Sequence, residues 1–359
     1  MSISKQKWVF VVALSVGLST ISGCFVQPGT QTNPPTSPTT TSSSTPVAIS
    51  PPKTGLSGSS SYTPYDAIGM LWSKKDKKNH SMIWTNSGGE SGKLLVSKAA
   101  PDKRPDWILC TQGVVAGLAS KGEEPVIIGS VFVSDQSILP IFRKPKKSLV
   151  GGRTLPIPRS SIEFALDRLV KREGVSLNSI KIPKVEKPSF PTITTLLTKP
   201  ASEKDALDFA VLVEPFITNV MTKYPNQYEI GKGGLYKMHY SIVVRKSDLQ
   251  ARRPEFVKLL KELLEADKQI AAFPDDKSFY QQVWGREKDG KPELFPKTLT
   301  YQRSPAKLQL QVGTLRKQLK EEISYLTQKY PADLRMPANI DTLVDDSLLQ
   351  EVAPDRVIP

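Results

Sequence analysis

Two cysteines and two histidines are all that this chain of 359 residues offers for thiol or imidazole chemistry. His80 and His239 lie far apart, and neither stands in a cysteine or carboxylate pattern with ligand spacing, so no metal site is expected. G-x-G-x-x-G, G-x-S-x-G and HExxH are all missing. The stretch Ser87-Gly88-Gly89-Glu90-Ser91-Gly92-Lys93-Leu94 resembles a phosphate loop but has Ser87 where the first glycine belongs and Leu94 where a magnesium-binding hydroxyl belongs. These absences leave no cofactor to expect. Acidic side chains are in deficit, 35 Asp and Glu against 49 Lys and Arg, giving a net charge of +14. The basic residues are scattered, which reads as a solvated surface drawn to anionic headgroups, with steering of an anionic ligand as the sharper alternative.

What is present begins with an address. Lys5 and Lys7 precede an apolar run over residues 8–18, broken only by Ser15 and Gly17. That run is too short for a helix across a ~30 Å hydrocarbon core but suits an export signal. It ends in Ile21-Ser22-Gly23-Cys24, which resembles the lipobox of bacterial lipoproteins. The resemblance implies a signal peptide over 1–23, cut before Cys24, whose sulfur carries lipid. Residues 24–62 are rich in Ser, Thr and Pro, have little to bury, and read as a disordered tether with a reach of roughly 30–40 Å. With Cys24 lipidated, Cys110 has no disulfide partner, and its setting Trp107-Ile108-Leu109-Cys110 makes it a buried small hydrophobe. A lipid-anchored exported chain is expected at the extracytoplasmic face of a cell membrane, away from nucleic acid.

The remaining residues are enough for two cores. Short apolar segments at 81–85, 107–110, 125–133, 155–158, 180–185, 209–213 and 241–245 read as strands. Helices are predicted over 90–99, 113–120 and 160–172 and from Pro254 onward. In the third of these, Ser160 and Glu163 form the S-x-x-E capping pattern, and Gly174 supplies the stop. Alternation of this kind argues α/β with mostly parallel sheets.

Four segments, taken in order, resemble the substrate-binding proteins of nitrate, sulfonate and taurine ABC importers, a family that includes thiamine-precursor binders. They are Ile127-Ile128-Gly129-Ser130-Val131-Phe132; Ser148-Leu149-Val150-Gly151-Gly152-Arg153-Thr154-Leu155-Pro156-Ile157-Pro158; the helix opening Ser160-Ser161; and Asp205 through Glu214-Pro215-Phe216. The resemblance spans residues 84–346. It implies a two-lobed, type 2 periplasmic-binding-protein-like fold whose lobes are joined by two crossing segments, with lobe one over 66–147 plus 240–359 and lobe two over 148–239. It further implies a small, anionic molecule in the gap, a monomer, and partnership with the permease and ATPase subunits of an importer. The stretch before Asp106 departs from the family, since residues 90–103 are a shortened replacement for its usual loop and second segment.

Candidate ligand contacts follow from strand ends and helix starts. One of Ser160 and Ser161 is expected at the ligand while the other caps its helix. Thr111 and Gln112 follow one strand, Asn86 and Ser87 another, and Ser134 a third; each is equally at home in a turn that satisfies its own backbone. Glu214 is expected to receive a ligand amine or hydroxyl, or to pair with a basic residue, and Phe216 to stack on ligand or join the core. Two alternatives stand beside transport. A fungal thiamine-pyrimidine synthase shares the fold but depends on a cysteine-rich segment that this chain lacks, so no enzyme activity is expected. A non-transport lipoprotein would use the same fold for ligand sensing or protein contact.

Overall fold

The computed structural model describes residues 54–57, 64–65, 82–85, 87–100, 103–145, 148–276, 278–279, 299 and 302–359, all within one compact unit, 49–359. The export signal, Cys24, most of the tether, His80 and Asn86 lie outside the described residues.

The described strands form two sheets. The larger contains β1 (Thr54–Ser57), β2 (Met82–Thr85), β3 (Trp107–Thr111), β4 (Pro125–Ser134), β8 (Met238–Arg245), β9 (Ala306–Gln311) and β10 (Val357–Ile358), in the order β10-β9-β4-β8-β3-β1-β2. The smaller contains β5 (Ile138–Arg143), β6 (Phe209–Val213) and β7 (Tyr228–Ile230), in the order β6-β5-β7. The chain crosses from one sheet to the other after Ser134 and returns before Met238.

Four expectations need correcting. Mostly parallel pairing fails: β1 runs parallel to β2 and β3, and β9 to β10, but β8 is antiparallel to both β3 and β4, and the smaller sheet is wholly antiparallel. The cause is the return crossing, which brings β8 into the larger sheet between two strands made much earlier. The tether, expected to run to residue 62, yields β1, which fills the slot between β2 and β3 with backbone hydrogen bonds that a Ser/Thr-rich composition does not advertise. The strand β5 lies in the smaller sheet, so the first crossing falls ahead of the boundary expected at residue 147. Segments 155–158 and 180–185 are not strands; Arg153 and Lys181 make one isolated bridge there. Pro156, Pro158 and Pro183 each remove an N–H that a ladder would need.

Helices cover the sheets. The first, α1 (Gly88–Leu95), and α2 (Gln112–Ala119) pack on β3. The next, α3 (Ser161–Arg172), packs on β5 and β6 with Ile162, Ala165, Leu166, Leu169 and Val170 buried. Its ends follow the sequence closely. The Ser160 side chain accepts from the amides of Ile162 and Glu163. At the other end Gly174 takes φ +66, with its amide on Lys171 and that of Val175 on Val170, a Schellman closure. Glu163 reaches the amide of Arg159 rather than that of the cap, one residue further back than a capping box. Two helices, α4 (Phe190–Thr198) and α5 (Phe216–Lys223), complete the smaller sheet's core around Ile193, Leu197, Leu212 and Tyr228. In the larger core, α6 (Lys246–Ala251) leads into α7 (Arg253–Ala272), which buries Phe256, Leu259, Leu260, Leu263 and Ile270. Finally α8 (Val312–Lys329) lies against α2 and α3, and α9 (Ser347–Val352) against α7.

Candidate functional site

The starts of α2 and α3 meet at Gly113. A Cβ on that residue would lie 1.9 Å from Ser161 Oγ and 2.6 Å from Glu322 Oε1, so only hydrogen fits there. Two helix N-termini, each the positive end of its helix dipole, thus meet in one place, where the α3 amides of Ile162 and Glu163 are already taken by Ser160. α8 supplies the third wall.

Beside Gly113, Gln112 is fully buried and spans the gap to the return crossing. Its Nε2 donates to the Lys237 carbonyl at 2.7 Å and its Oε1 accepts from the His239 amide at 2.8 Å. Across the junction, Ser161 donates to Glu322 Oε1 at 3.1 Å, Tyr236 donates to Glu322 Oε2 at 2.9 Å, and the two hydroxyl oxygens lie 2.9 Å apart. All three side chains are buried, Glu322 to 1 % exposure. Burial pushes the Glu322 carboxyl up to about 7, against the pull of the two hydroxyls and the charge of Arg168. Burial and the nearby Glu322 hold the Tyr236 phenol well above its ordinary range. One turn along the same helix face, Gln318 is buried with an Nε2 that has no partner among the described residues.

The rest of α3 is fastened along α8 and the turn after it. Arg168 pairs with Glu321 and Arg159 with Asp333. Glu163 takes Lys329 Nζ and the Tyr330 hydroxyl, each at 2.8 Å, and the Phe164 and Tyr325 rings lie 5.3 Å apart. Such a run of paired charges and rings gives the junction one arrangement rather than a loose contact.

The expected site residues therefore divide. Gln112 and Ser161 come together, through Gly113. Thr111 precedes them, half-buried, and makes no side-chain cap bond. Ser160 is the cap, as one of the two serines was expected to be, and it also donates to the Ile157 carbonyl. The others are engaged elsewhere. Ser87 is exposed and caps α1 by accepting from the Glu90 amide. Ser134 accepts from the Gln136 amide in the first crossing. Glu214 is buried and takes the Thr218 amide and hydroxyl at 3.1 and 3.0 Å, with burial raising its carboxyl. It has no basic partner among the described residues; from just ahead of α5 it holds that helix's first turn through Thr218. Phe216 stacks on Phe190 at 5.1 Å, the core role. Sequence reasoning missed Glu322 and Tyr236. A signal for Glu322 existed: with Gln318 it interrupts the apolar stripe Leu315, Leu319, Ile323, Leu326 at helical spacing.

No family model matches the chain, and no curated protein matches it in sequence. Solved structures do. Two sheets, two crossings and flanking helices make this the periplasmic-binding-protein fold, shared here at low identity. The alkanesulfonate-binding protein SsuA from Xanthomonas axonopodis pv. citri, bound to MOPS, matches at 14 % identity over 83 % of this chain and 100 % of its own, with a TM-score of 0.59. The periplasmic nitrate-binding protein NrtA from Synechocystis PCC 6803 matches at 11 % over 86 % and 89 %, TM-score 0.62. A Candida albicans protein described as having the generic periplasmic-binding-protein fold matches at 11 % over 86 % and 96 %, TM-score 0.55. The structural neighbours thus include sulfonate- and nitrate-binding proteins and a ligand-binding component of an ABC-type import system from Staphylococcus aureus.

Proposed function

We propose that the chain is a solute-binding protein of an ABC importer, monomeric, lipid-anchored through Cys24 and exposed at the extracytoplasmic face. The observation that supports this best is the meeting of the α2 and α3 starts over Gly113 and Ser161, in a fold whose named neighbours bind sulfonates and nitrate. Helix starts supply amide donors and positive potential, the chemistry that an anion or a hydrogen-bond acceptor requires. Gln112 and Ser161, with Thr111 beside them, line the junction on this reading, and the larger sheet with its helices moves as one lobe against the smaller sheet with its helices. A thermal-shift screen of the purified chain with nitrate, alkanesulfonates, taurine, bicarbonate and pyrimidines tests it. One class should raise the melting temperature by mass action.

A second reading has its own support. The carboxyl of Glu322 already stands between the two helix starts, and Gln112 is tied to the return crossing. A filled junction suits a lipoprotein that uses the fold for sensing or for contact with another protein, since fold alone does not fix function. Absence of a thermal response to every solute would decide for it.

A further inference from the structure

Glu322 places its carboxyl where the starts of α2 and α3 meet. Its two oxygens take one hydroxyl from α3 and one from the return crossing, at 3.1 and 2.9 Å. Gly113 clears the space by having no side chain: any Cβ would strike Glu322 Oε1 and Ser161 Oγ. The carboxyl is delivered by α8, a long helix that belongs to neither helix start, and it is buried to 1 % exposure. A surface glutamate that merely tolerates its neighbours would be solvated; this one has traded water for three walls of protein.

We infer that Glu322 is a tethered occupant of the seat between α2 and α3, so that the unaltered chain takes no free acid there and loss of the carboxyl opens a site for a small monocarboxylate. The inference rests on the reading above only in treating this junction as the solute's place. It narrows that reading: a solute bound by the unaltered chain makes its contacts beyond this seat, or enters only by displacing Glu322.

The test is chemical rescue. Glu322→Ala removes a piece the size of acetate. The full chain in detergent is heated with sodium acetate, sodium formate or sodium chloride. The variant should melt below the unaltered chain and recover by about 3 °C at roughly ten times the acetate dissociation constant, with chloride inert. The unaltered chain and Glu322→Gln, whose seats stay filled, should not respond to acetate. If Glu322→Ala does not fold unaided, refolding from urea with and without acetate reads the same property, and an acetate-dependent soluble yield supports the inference. Three results would overturn it: no acetate response in Glu322→Ala, no soluble variant with or without acetate, or an equal shift in the unaltered chain. Stabilisation of the unaltered chain by nitrate or a sulfonate, lost in Ser161→Ala, would also overturn it while leaving solute binding intact.

Discussion

Glu322→Gln should flatten the pH dependence of stability. Ser161, Tyr236 and Glu322 make three oxygen contacts of 2.9, 3.1 and 2.9 Å. Two hydroxyls bring two protons, so the third contact is a hydrogen bond only when the carboxyl carries a proton. Burial favours the same state, raising the carboxyl from 4.5 to about 7. The folded chain therefore keeps a proton between pH 4.5 and 7 that the unfolded chain has released. Its stabilising effect is complete below 4.5 and is lost as pH rises through about 7. At about 1.4 kcal/mol per pH unit across that interval, the loss is about 3 kcal/mol. Glutamine keeps the shape, donates from its amide and accepts at its carbonyl, and does not titrate. Urea unfolding of both proteins at pH 5, 6, 7 and 8 gives the difference in stability, in which the other titrating groups cancel. The unaltered chain should lose about 2–3 kcal/mol relative to the variant across the series. A difference that stays constant from pH 5 to 8 would refute both the proton count and the raised carboxyl.

Other outcomes are expected. Gly113→Ala forces a methyl into Ser161 and Glu322 and should cost about 1–3 kcal/mol or more by urea unfolding; a neutral result would mean that the helix starts are not in contact. Cys110 is fully buried, and burial pushes its thiol up, so the native chain should resist a thiol-specific reagent that reacts at once in urea. Cys24→Ser should move the chain from the membrane to the soluble fraction, and unchanged membrane retention would count against lipidation.

Legibility followed distance along the chain. The strand β6 and the helices α3 and α7 were readable because apolar spacing, caps and stops act within a few residues. The strand β5 was not, since Pro140 interrupts a short apolar run, yet it pairs on both sides, with Pro140 opposite Val211. Conversely, segments 155–158 and 180–185 have strand-like composition but prolines at the positions where a ladder needs donors. Of the site, the Ser160 cap and the Ser161 helix start were visible locally. The partner of Ser161 was not: Glu322 lies 161 residues away, on a helix whose charged residues look solvated until the apolar stripe is traced. The antiparallel pairing of β8 was hidden for the same reason, because only the return of the chain decides the direction in which it enters.

That late entry dictates an order of assembly. While the ribosome is still making the smaller sheet, β3 and β4 have no strand between them, and their edges stay open to misplaced partners. The centre of the larger sheet closes only once Met238–Arg245 has emerged, so ribosome-bound chains should gain protease resistance abruptly at that length. Until then the chain is a thread whose larger sheet has no closed centre, the form that the export proposed above would require.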